Sequence, residues 1–231
     1  MTFQVPLKYA DLTLGQLMTL QTEEDKFKRV ASCANITIEE LRNAPMNEVI
    51  EADKHLKRIA DEETGRHLKV IELNGQQYGF IPNWQEFSLG EWIDIEEYSA
   101  DFWNNADKIM SILYRPLLRQ SGDAHTIEKY TAKEDSEAFK QIPADLFGGC
   151  ILFFFEFKER TTAHYSILFN GNGAEPDPFS VKWGWYPCLY TLAKEDLQQM
   201  DAITEKSVGS IFTHLAYLKD LHFKLKNDNV Q

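Results

Sequence analysis

The sequence predicts a mainly α-helical protein, with helical, bundle-like lobes and one small β-hairpin near residues 68–81. Three observations predict it. One helix-start pattern recurs along the chain, several segments carry apolar residues at three- and four-residue steps, and a single Asn-Gly pair lies between two runs of β-forming residues.

The recurring start is clearest in "DLTLGQLMTL" at 11–20 and "EFSLGEWIDI" at 86–95, which share an acidic residue, an apolar residue, Thr or Ser, Leu-Gly, and Gln or Glu, about 75 positions apart. The first backbone N–H groups of a helix lack partners, and a short polar side chain at the N-cap accepts from one of them. Thr13 and Ser88 are those caps. Gln16 and Glu91, three residues on, reach back to the cap N–H, while Leu12 with Leu17, and Phe87 with Trp92, occupy hydrophobic-staple positions. "ITIEEL" repeats the arrangement with Thr37, Glu40, Ile36 and Leu41. Two readings of the likeness stand at this level: a duplicated lobe, or independent use of one good helix start. Gly15 and Gly90 are read as close-packing positions, because no Gly-rich turn precedes them to make an anion site.

In chain order, the first capped helix is expected from about 14 to the low thirties, and a second after Thr37 that Pro45 interrupts or restarts. From Met46 the stripe Met46, Val49, Ile50, Asp53, Leu56, Ala60 is helical. Asp53 is its odd member and is placed at the edge of the solvated face. "LKVIELNGQQYGFIP" then gives the hairpin, since both central residues of a type I′ turn need positive φ and Asn74-Gly75 tolerates it. Alone it is marginal in water, so it must pack on helices or pair with another strand. Another helix is expected from Asp101, lined by Phe102, Ala106, Ile109 and Leu113 and ended by "YRP" at 114–116. Residues 120–135 read as a polar connection, Pro143 as the first turn of an apolar helix, and "NGNGAEPDPFS" at 170–180 as the best linker. The last helix carries Val208, Ile211, Phe212, Leu215 and Leu218 and ends in the polar tail "KLKNDNVQ". The expected division is an N-terminal helical lobe, 1–66, and a main helical lobe, 67–231.

The chain has 231 residues, 43% of them hydrophobic, with 15 Phe, 9 Tyr and 5 Trp, which supports a substantial core and many aromatic surfaces. Its net charge of −12 repels phosphate backbones and anionic bilayers, so neither nucleic acid nor membrane is an expected partner. "LFGGCILFFFEF" at 146–157 is too short to span a bilayer, and "MTFQVPLKYADL" has no secretory-signal pattern. Cys33, Cys150 and Cys188 are far apart and form no CxxC pair, which fits a reducing cytoplasm.

Reaction chemistry is not legible. The six histidines form no HExxH or zinc spacing, no Walker loop, GxSxG or GxGxxG is present, and the carboxylates lie in solvated runs such as "DIEE". No catalytic residue, metal or cofactor is therefore expected. The candidates for a site are aromatic instead: Trp183, Trp185, Tyr186 and Tyr190 lie within eight residues, and such rings serve as interface anchors. At spacing 183, 186 and 190 a helix face could equally bury three of them in the core, with Trp185 pointing elsewhere.

The order hairpin, "SLGEWIDIE", "ILYRP", the "FFFEF" helix, then "WGWYPCLYTLA" and "LAYLKD" resembles small acidic helical proteins from the morphogenesis genes of tailed bacteriophages, among them tail assembly chaperones and virion-associated proteins. The likeness covers about two thirds of the chain, and its motifs are loose apolar and aromatic patterns. It implies a non-enzymatic protein that binds other phage structural proteins, in the host cytoplasm during assembly or in the virion, and that can form a homo-oligomer. A tail assembly chaperone is the first expectation. A neck, connector or tail ring component is the second, and an enzyme of unrecognised type a distant third.

Overall fold

The computed structural model describes residues 3–62, 64–132, 136–169 and 178–228. It is 64% helix and 12% strand, so the chain is mainly α with a small sheet. In order the elements are α1 (Leu14–Thr22), α2 (Lys26–Ala34), α3 (Ile38–Leu41), α4 (Met46–Ala60), β1 (Val70–Leu73), β2 (Gln76–Phe80), α5 (Leu89–Ser99), α6 (Ala106–Leu113), β3 (Tyr114–Ser121), β4 (Ala124–Ile127), α7 (Ala144–His164), α8 (Ser166–Phe169), α9 (Pro178–Trp183), α10 (Tyr186–Leu192), α11 (Leu197–Thr204) and α12 (Val208–Asp228). The expected linker at 170–180 lies largely outside the described residues.

Two compact units divide the chain: Met1–Pro82 with Glu97–Phe153, and Asn83–Glu96 with Phe154–Gln231. The division does not fall at 66/67. The sheet, α6 and the first half of α7 group with the N-terminal helices, because these elements share one apolar core that includes Leu14, Leu17, Leu56, Ile109, Tyr114 and Phe147.

Within the first unit, the long helix expected from 14 to the low thirties is two helices. Asp25 restarts it, its Oδ1 accepting from the Phe27 N–H at 2.8 Å. Arg29 keeps the break open: Nη1 donates to the carbonyls of Glu23 and Glu24, both at 2.7 Å, and those oxygens are thus satisfied without a continuous helix. The same guanidinium grips Asp53 on α4 with two more bonds, Nε to Oδ1 at 2.7 Å and Nη2 to Oδ2 at 2.8 Å. Asp53 is thereby buried, which corrects its placement at the solvated edge of the stripe. A carboxylate enters an apolar helix face only with such a partner.

Asn74 and Gly75 adopt φ of 51° and 80°, as the hairpin turn requires. The hairpin is not isolated. β2 pairs with β3, Phe80 opposite Tyr114, and β3 pairs with β4, giving an antiparallel meander in the order β1-β2-β3-β4. This corrects the polar connection expected at 120–135, part of which is strand. Beyond Arg115 the β3 side chains become progressively exposed, so no inside-outside alternation marks them in sequence. The helix expected from Asp101 begins only at Ala106, after a single 3₁₀ turn.

All three expected caps form. Thr13 Oγ1 accepts from Gln16 N–H at 3.2 Å while Gln16 Oε1 accepts from Thr13 N–H at 3.0 Å. Ser88 with Glu91 and Thr37 with Glu40 repeat the reciprocal pair. Two of these starts share a further device. In the first unit Leu14 N–H donates to Ile142 O at 2.8 Å and Ala144 N–H to Leu12 O at 2.9 Å, an antiparallel bridge between Thr13 and Pro143 that joins the starts of α1 and α7. In the second unit Leu89 N–H donates to Lys206 O and Val208 N–H to Phe87 O, both at 2.8 Å, which bridges Ser88 to Ser207 and joins the starts of α5 and α12. Each glycine after the cap faces the residue three ahead of its partner start. A Cβ on Gly15 would lie 3.2 Å from Lys140 Cβ, and one on Gly90 3.4 Å from Thr204 O. A side chain at Gly15 would crowd Lys140, whereas one at Gly90 would begin with ordinary contact.

Candidate partner-binding site

The second unit is built on Phe87, Leu89, Trp92, Ile95, Phe154, Val208, Ile211 and Phe212, all buried. Trp92 lies edge-on to Phe157 and Phe212, and the Lys158 ammonium sits 5.8 Å from the Trp92 ring centroid. Around this core the sequence leaves an unusual amount of apolar surface outside.

The four aromatic residues singled out from sequence divide into two roles. α9 ends at Trp183, Gly184 takes φ of 49°, and α10 begins at Tyr186 with Pro187 in its first turn. Across this break the rings of Trp183 and Tyr186 stay adjacent at 5.7 Å, Tyr186 and Tyr190 stack at 6.3 Å and 11°, and Phe179 extends the row at 6.3 Å from Trp183. The row faces outward. Trp183 is 43% exposed and Tyr186 45%, Tyr190 is half-buried, and Lys182 lies 5.1 Å over the Trp183 ring.

Trp185 points the other way. Its ring stacks on Phe212 at 5.9 Å and 6°, and its Nε1 donates to Glu96 Oε2 at 2.9 Å. Lys158 approaches the other oxygen of Glu96 at 3.4 Å. Half-buried, Trp185 forms one wall of an open cavity of about 340 Å³ completed by Leu168 and Phe169 of α8 and by Phe212, Leu215 and Lys219 of α12. The single helix face expected at 183, 186 and 190 is therefore split between two helices, and the row it leaves is exposed rather than buried.

Sequence reasoning did not single out Phe179, or Tyr217, Phe223 and Leu225 of α12, which are exposed, as is Leu218 at the end of the expected apolar stripe. A signal was present: apolar residues continue down this helix past the last one that buries, at Phe212, although polar residues surround them. Nothing in α12 alone tells where its partner surface within the fold stops.

In the first unit two thiols and one histidine are packed among apolar groups. Burial pushes the Cys33 and Cys150 thiols up to about 12, and a protonated thiol is a poor nucleophile. Burial, with help from Lys69 and His125, lowers the His67 pKa, and its ring is wedged 4.6 Å from both Phe80 and Phe153. Among the described residues no group of three His, Cys, Asp or Glu could hold a metal ion, and no helix is long and apolar enough to cross a membrane. A second, small cavity of about 120 Å³ beside Tyr98, Lys108 and Ser136 in the first unit is lined, among the described residues, by no carboxylate or histidine. Comparison with protein-family models, with curated proteins and with solved structures finds no match to this chain.

Proposed function

We propose that the chain is a non-enzymatic assembly factor of a tailed bacteriophage, and that it works by binding apolar helical segments of another phage structural protein, as a tail assembly chaperone does. The observation that carries the binding half of this reading is the outward row Phe179, Trp183, Tyr186 and Tyr190, with further exposed apolar residues on α12. Large amphipathic rings held in a fixed row give contact area at little entropic cost, and such residues dominate binding energy in protein interfaces. The phage half rests on the resemblance of the "SLGEWIDIE", "ILYRP" and "LAYLKD" segments.

Disruption of the gene, with electron microscopy of the particles produced, tests the reading. The expected result is particles with absent or aberrant tails, together with purified wild-type particles that lack peptides of this chain in mass spectrometry. Normal particles after disruption contradict an assembly role. Abundant peptides in the finished particle would replace the chaperone by a structural component of the neck, connector or tail.

A further inference from the structure

We infer that the cavity at Trp185 seats one large apolar side chain of the partner, carried beside a carboxylate that Lys219 receives. This rests on the reading that the second unit binds another protein, and it states the chemistry of the segment bound. At about 340 Å³ the cavity lies at the small end of the ~300–1,000 Å³ typical of ligand pockets, so one aliphatic or aromatic side chain suits it better than a cofactor. Its walls are set before anything binds. Trp185 is fixed by the stack on Phe212 and by its bond to Glu96, whose other oxygen is engaged by Lys158.

Among the described residues, Lys219 is the one charged residue lining this otherwise apolar cavity. Its Nζ donates to Ile167 O, and an ammonium has three N–H donors, so two remain. Among the described residues no carboxylate lies within ion-pair distance of it. From 217 to 226 α12 carries Lys219, Lys224 and Lys226 against the single acid Asp220, in a chain whose net charge is −12. A half-buried cation beside an apolar cavity selects an anionic group next to an apolar one, and like charge there is rejected.

Two labelled helical peptides of about 14 residues provide the test, identical except that a single Leu is followed four positions later by Glu in one and by Lys in the other. Their binding to the full chain is read by fluorescence anisotropy. The Glu peptide is expected to bind about tenfold tighter or better. That preference should vanish in Lys219→Gln, persist in Lys219→Arg, and fade with added salt in the wild type, while Leu215→Asp should abolish binding of both peptides. Equal binding of the two peptides to the wild-type chain overturns the inference without recourse to any variant, as does an undiminished preference in a folded Lys219→Gln. The two readings fail separately. Peptide discrimination with normal particles after gene disruption removes the assembly role and leaves the cavity's preference standing; loss of particles without peptide discrimination does the reverse.

Discussion

Thr13 and Pro143 meet in an antiparallel bridge that joins two helix starts far apart in the chain, and Ser88 and Ser207 meet in the same way in the other unit. Each bridge satisfies one first-turn N–H of each helix with a carbonyl flanking the other, and the Thr13 and Ser88 side chains each accept from one more. The repeated "TLGQ" and "SLGE" are thus two copies of one joint, cap with reciprocal Gln or Glu, whose glycine is held close to its neighbour only at Gly15.

Loss of the cap hydroxyl should weaken either joint. Thr13→Ala and Ser88→Ala are each expected to lower stability by about 1 kcal/mol in urea unfolding. Gly15→Val, which forces side-chain atoms against the Lys140 backbone, should lose more, about 2 kcal/mol. Unchanged unfolding midpoints for all three variants would remove the joint as a stabilising element.

Asp53 and Arg29 form the buried pair of the first unit, and removing one partner strands the other's charge. Asp53→Ala should lose about 3 kcal/mol, whereas a surface pair such as Lys54 with Glu51 should contribute well under 1 kcal/mol. Equal effects of Asp53→Ala and Glu51→Ala would mean that the pair is solvated.

Acid should destabilise the chain through two groups. Burial alone would raise the Asp53 carboxyl, but the Arg29 guanidinium more than offsets it and holds the group below its ordinary value. Its contribution is therefore complete above the unfolded carboxylate pKa near ~3.9 and is lost as pH falls through the lower folded value. His67 is also lowered, by burial first, so the folded state disfavours its charged form. Its stabilising difference is present above the unfolded pKa of ~6.5 and is lost as pH falls through the folded value. Melting followed from pH 7 to pH 5 should show a decline that His67→Phe flattens, and an identical slope in that variant would contradict the assignment.

Trp185 and Trp183 should separate cleanly. Trp185→Ala loses the Phe212 stack and the Glu96 hydrogen bond and is expected to lower stability by about 2 kcal/mol. Trp183→Ala removes an exposed ring and should stay within about 0.5 kcal/mol of wild type. Differential scanning calorimetry of the two variants decides this, and a reversed order would place the outward row in the core.

Local structure was readable wherever a short motif has one physical solution. Thr13, Thr37 and Ser88 with their Gln or Glu partners, and Asn74-Gly75, declared helix starts and a turn from four residues or fewer. What depended on distant chain was hidden. Asp53 reads as a surface acid until Arg29, 24 residues earlier, is brought against it. β3 lacks alternation because its side chains run from buried to exposed along the strand, β4 is only four residues long, and Pro143 and Ser207 give no sign of the cap each one meets. The aromatic cluster at 183–190 was legible, but not the break at Gly184 that splits it between two helices, nor which of its rings meet solvent, which is a property of the whole unit.

The central claim is that the outward row of the second unit meets the partner, and site-specific photocrosslinking in cells assembling particles tests it most directly. A benzophenone amino acid placed at Trp183 or at Tyr186 should yield a crosslink to a phage structural protein, identified by mass spectrometry, while the same group at the exposed Lys54 of α4 should yield none. Crosslinks absent at 183 and 186, or equally strong at 54, would contradict the claim.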